Sequence, residues 1–85
     1  MANSISFTLS NNQMTDVNVT VVDLRTNTKS VDNFPLNVGD SVSVTVVAGS
    51  DGTGSAEWFF ASADGSVNSR KTQSDIRDGD SCTLG

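Results

Sequence analysis

Apolar and polar residues alternate with a period of two along nearly the whole chain, the signature of strands with one buried face. Ile5, Phe7 and Leu9 alternate with Ser4, Ser6, Thr8 and Ser10. After Asn11-Asn12-Gln13, Val17, Val19 and Val21 alternate with Asn18 and Thr20. The phase slips at Val21-Val22, where a β-bulge reconciles Val21 with Leu24 on the other face. Arg25 to Ser30 reads as a polar turn. Phe34, Leu36 and Val38 make a third run, with Pro35 on its opposite face. Proline has no N–H to donate, so this strand is expected at a sheet edge. Gly39-Asp40 signals a turn into the most regular strand, Val42, Val44 and Val46 against Ser41, Ser43 and Thr45. The loop from Gly49 to Gly54 follows, then Ala56, Trp58 and Phe60 on one face. Asp64-Gly65 reads as a hairpin turn. Val67 to Ser74 is polar and weakly patterned, and Asp78-Gly79 turns into Ser81-Cys82-Thr83-Leu84.

About seven short strands with turns between them predict an all-β fold, a small antiparallel β-sandwich or Greek-key domain over residues 1–85. No stretch carries a helical stripe. The runs Val38 to Val44 and Asp78 to Leu84 resemble each other. Gly-Asp-Ser turns entering strands account for that likeness more simply than a duplicated half does. The expected core is Ile5, Phe7, Leu9, Val17, Val19, Val21, Phe34, Leu36, Val42, Val44, Val46 and one of Trp58 or Phe59.

Composition narrows the function. Ser, Thr and Asn contribute 13, 9 and 8 of the 85 residues, and Val 11, against 5 Ala and a single Glu. The chain is poor in strong helix formers. Ten acids against five bases leave a formal charge of −5. Such a balance offers no footprint for nucleic-acid phosphates and no attraction to an anionic membrane surface. No apolar run approaches a membrane-spanning length. The start, MANSISFTLSNN, lacks a basic segment followed by an unbroken apolar one. The expected location is therefore cytoplasmic, although a secreted form that had lost its signal would read the same.

Catalysis is disfavoured and the expectation is no enzyme. There is no His, so Ser-His and Cys-His pairs are excluded. Cys82, the only cysteine, shares the apolar side of its strand with Leu84 and reads as a structural thiol. Zinc lacks ligands in this composition. Calcium, which takes oxygen ligands, is the one cofactor the turns suggest. If the strands alternate up and down, Asp51, Asp75 and Asp78 fall at one end as a candidate metal set. Asn11, Asn12, Asp16, Asp40 and Asp64 fall at the other. Asp and Asn also favour turns for reasons of their own backbone, and that reading has the better claim.

Trp58-Phe59-Phe60 puts three rings at adjacent positions, and alternation sends at least one to the face opposite the others. An outward ring beside a glycine-rich loop is a handle for a ligand. The candidate binding residues are Trp58, Phe59, Asp51 and Thr53. Trp58, then six residues, Gly65, then Ser69 is similar to the aromatic-x6-Gly…Ser pattern of βγ-crystallin Greek keys. The pattern occurs once where that family has two, and its calcium motif is only grazed by Asn11-Asn12-Gln13-Met14-Thr15, followed by Asp16.

The expected function is a non-catalytic module that binds a carbohydrate or protein ligand through its surface, or assembles with copies of itself. The alternatives are a structural or storage Greek-key protein of βγ-crystallin type that binds calcium, and an inhibitor or immunity protein whose acidic surface suits a basic partner.

Overall fold

A computed structural model describes residues 3–85, which form a β-sandwich with no helix among the described residues. The strands are β1 (Asn3–Ser10), β2 (Val17–Asp23), β3 (Thr28–Leu36), β4 (Ser41–Ala48), β5 (Gly54–Ala61), β6 (Asn68–Ile76) and β7 (Ser81–Thr83). One sheet has the order β4-β1-β7 and the other β3-β2-β5-β6. Neighbours run antiparallel with one exception: β7 lies parallel to β1, Thr8 opposite Ser81 and Ser10 opposite Thr83. The chain reaches β7 by crossing over from β6 in the other sheet, so no hairpin fixes its direction.

The register exposes an internal repeat. Ser4-Ile5-Ser6-Phe7-Thr8-Leu9 of β1 recurs as Ser41-Val42-Ser43-Val44-Thr45-Val46 of β4, and Phe7 pairs with Val44, its own counterpart. At the same offset Val21 of β2 pairs with its counterpart Trp58 of β5. Both pairs thus straddle one local two-fold, with β3 and β6 as outer strands of the two halves. Ser81-Cys82-Thr83-Leu84 repeats the pattern a third time. Residues 38–44 and 78–84, alike in sequence, also share a local structure. Both runs enter strands that flank β1, through turns with glycine at i+2 (Gly39, φ 79°; Gly79, φ 87°). Asp40 donates its N–H to the Asn37 carbonyl at 2.9 Å, and Asp80 to that of Arg77 at 3.0 Å. These are type II turns, and their third position requires a left-handed residue.

Ile5, Phe7, Leu9, Val17, Val19, Val21, Leu36, Val44, Val46 and Trp58 are all buried, as the alternation predicts. Trp58 packs on Phe7 with ring centroids 6.1 Å apart, and its indole N–H donates to the buried Leu84 carbonyl at 2.9 Å. That bond ties the four-stranded sheet to the segment leaving β7. The sheets approach closely at Gly54, where a Cβ would sit 2.7 Å from Val46 Cγ2.

Two expected core residues differ. Val42 is only partly buried, and Phe34 is 42 % exposed. Phe34 pairs with Val19 and so faces inward, but β3 is the edge of the wider sheet, and the three-stranded sheet does not reach over it. Pro35 occupies this edge as anticipated. The polar stretch after Val67 is a strand, β6, and Val38 lies in a turn rather than in β3. Irregularity marks both outer strands. Asn33 (φ 49°) in β3 and Asp75 (φ 56°) in β6 are left-handed, and the register shifts beside both.

Candidate functional site

Trp58 and Phe60 point into the core, so alternation turns Phe59 outward on the four-stranded sheet. The register then assembles its surroundings. Thr20 of β2 stands opposite Phe59 on one side and Arg70 of β6 on the other. In the next row Asn18, Ala61 and Asn68 stand side by side. Asn33 enters from β3, its N–H donating to Thr20 Oγ1 at 3.0 Å. Asn18, Thr20, Asn33, Phe59, Ala61 and Asn68 line a shallow depression of about 170 Å³, with Phe60 at its base. Phe59 is 37 % exposed, and the Arg70 guanidinium carbon lies 6.0 Å from its ring centre. At that range the ring quadrupole attracts the guanidinium, which sits over one face of the ring and leaves the rest of it open.

The candidate binding residues do not all meet here. Trp58 belongs to the core, fully buried with its N–H already bonded, and has no surface to offer a ligand. Asp51 and Thr53 lie in the β4–β5 loop, about 17 Å from Phe59 at about 3.3 Å per strand residue from Gly54. That loop is closed on itself. Thr53 donates its N–H and hydroxyl to Asp51 Oδ1 at 3.0 and 2.9 Å, and Gly49 donates its N–H to the Thr53 carbonyl at 2.9 Å. The Thr53 bonds, with Arg25 nearby, hold the Asp51 carboxyl below its ordinary value.

The candidate metal set is likewise dispersed. Asp51 is engaged as described, Asp78 Oδ1 accepts the Ser6 N–H at 2.9 Å, and Asp75 is a left-handed residue of β6. No group of three or more acidic or sulfur side chains converges among the described residues. At the opposite end the polar side chains also serve backbone. Asn11 Nδ2 donates to the Thr15 and Leu36 carbonyls, and Asp16 Oδ1 accepts the Val38 N–H at 2.9 Å. Asp64 accepts the Ser66 N–H and the Ser62 and Ser66 hydroxyls, which lower its pKa to about 2. These are turn-forming roles of Asp and Asn. Cys82 is half-buried, and burial together with Asp80 raises its thiol pKa, the reverse of what a nucleophile needs.

Asn18, Thr20, Asn33, Asn68 and Arg70 were not singled out by the sequence. Their alternation marks them as outward, but only cross-strand register brings them around one ring. No family model, curated protein or solved structure matches the chain. Among the described residues no helix is long and apolar enough to cross a membrane.

Proposed function

We propose that the chain is a non-catalytic β-sandwich module that binds a carbohydrate on the outer face of the four-stranded sheet. The observation that carries this reading is the exposed Phe59 ring set among three amides and a hydroxyl, those of Asn18, Asn33, Asn68 and Thr20. A sugar ring has an apolar C–H face and a hydroxyl rim. An aromatic platform meets the first, and amides, which both donate and accept, meet the second. The depression is smaller than the roughly 300–1,000 Å³ of pockets that engulf a small molecule. A ligand laid across an open face suits it better than one buried within it. The surrounding groups are neutral apart from Arg70, which favours an uncharged or weakly anionic glycan.

A glycan array followed by calorimetry on the best ligand tests the reading. Replacing Phe59 with Ser should weaken binding about tenfold, the loss of one stacking contact of about 1.4 kcal/mol. The melting temperature should fall by no more than several degrees, because the ring lies outside the core although only 37 % exposed. Absence of any glycan ligand, or an affinity indifferent to Phe59→Ser, would overturn it.

A further inference from the structure

The edges of the two sheets are not equally protected. β3 carries Pro35, Lys29, Asp32 and a left-handed Asn33, and β6 carries Arg70, Lys71 and a left-handed Asp75. β7 is three residues long. Charges, proline, irregular backbone and short length are the usual means of blocking strand addition. β4 has none of them: eight residues, no charge, no proline and an unbroken register with β1.

Its free backbone groups can be identified. Ser6 donates its N–H to Asp78 Oδ1 and accepts from the Gly79 N–H, and Thr8 donates to the Asp80 carbonyl. These groups point away from β4. Thr45 and Ser43, directly opposite, therefore point their own N–H and C=O away from β1. Alternation adds Ser41 at one end. At the other end Val47 points the same way, but its N–H is taken by Asp23 Oδ2 at 2.8 Å.

We propose that this edge pairs antiparallel with β4 of a second copy, on a two-fold axis at Ser43. In that register Ser43 meets Ser43 and Ser41 meets Thr45 at both ends. All three free residues are used, six hydrogen bonds form, and Val47 is left to Asp23. The fold already contains a related pairing, centred one residue on, at Phe7 and Val44. β1, which repeats the β4 pattern, pairs antiparallel with it, and Ser6–Thr45 and Ser10–Ser41 share hydroxyl bonds of 3.0 and 2.8 Å across that seam. A further strand beside β4 would extend the narrower sheet over β3. The reach of Asp23 from β2 to the outer edge of β4 shows which side that is. There it would cover Phe34, the inward-facing aromatic that the monomer leaves 42 % exposed.

Sedimentation from micromolar to millimolar protein should show the mass rising from 8.9 kDa toward twice that value. Ser43→Pro removes the central N–H at a position where an edge strand tolerates proline, and should hold the chain monomeric. Ser43→Lys keeps every N–H but sets its charge directly against its own twin across the axis, about 5.5 Å away at Cα, and should do the same. In a Cys82→Ala background, Ser43→Cys should form a disulfide dimer under mild oxidation, since hydrogen-bonded partners sit about 5.5 Å apart at Cα. Thr45→Cys should not, its twin lying four residues, about 13 Å, along the strand. A monomer at millimolar concentration, a dimer that survives both edge variants, or faster cross-linking at 45 than at 43 would overturn the proposal.

Discussion

Replacing Trp58 with Phe removes one buried bond and part of one ring while leaving the β5 backbone intact. The indole N–H donates to the Leu84 carbonyl at 2.9 Å, and both residues are fully buried. Without the donor that carbonyl has no water to turn to. An orphaned buried acceptor costs about 1–3 kcal/mol. The lost ring volume beside Phe7 adds about 1 kcal/mol, less than the cost of a full truncation to Ala. A total of about 2–4 kcal/mol is a large share of the roughly 5–10 kcal/mol that a chain of this length commands. At about 4–8 °C per kcal/mol for a small domain, the melting temperature should fall by about 10–30 °C.

Far-ultraviolet circular dichroism is the assay, since the substitution removes the only tryptophan and its fluorescence. Hydrogen exchange adds location. If the bond pins the segment leaving β7, the amides of Ser81–Thr83 should lose protection before those of β2 and β5. A fall of less than about 5 °C would refute the energetic argument. Protection of β7 that tracks the wide sheet would refute the structural one.

Val44→Asp introduces a carboxylate at a position 1 % exposed. An unpaired buried charge costs more than this domain holds, so circular dichroism should show no native melt. Asp64 gives a pH prediction. Its folded pKa of about 2 lies below the ordinary 3.8, so its stabilisation is complete above the ordinary value and shrinks as pH falls. Melts of wild type and Asp64→Asn should therefore differ at neutral pH and converge below about pH 2, a gap that persists in acid being the adverse result.

The strands were legible where one side of the chain is apolar and the other polar. Val17, Val19 and Val21 reveal their face without any structure, and Pro35 announced an edge through its missing donor. β6 was not legible, because an edge strand over which the opposite sheet is narrow needs almost no apolar face. Only Ile76 in it is buried. Phe34 misled for the related reason that inward direction is a local property, whereas cover depends on the width of the other sheet. The Phe59 site failed in part on distance. The glycine-rich loop adjoins β5 in sequence, but a strand converts five residues into about 17 Å. Asn18, Asn33 and Asn68 are remote in sequence and adjacent in space, and no short-range pattern encodes that.

The internal two-fold separates what the fold requires from what it has been free to change. Positions related by the offset share a packing role: Phe7 and Val44 face each other across one sheet, Val21 and Trp58 across the other. Their outward neighbours carry no such constraint. The counterpart of Phe59 in the first half is Val22, also outward and half-buried, with Lys29 and Glu57 beside it. If the outward position served the sandwich itself, both halves would need a similar residue there. Instead one half has a small aliphatic side chain between two charges, and the other a ring among amides. The outward faces of β1 and β4 point the opposite way, keeping Ser4, Ser6 and Thr8 matched to Ser41, Ser43 and Thr45. Difference at Phe59 is what a single ligand site would need, whereas the edge of β4 meets an identical strand in a second copy whatever β1 carries. The two surfaces lie on opposite sheets, so each can be disabled without touching the other.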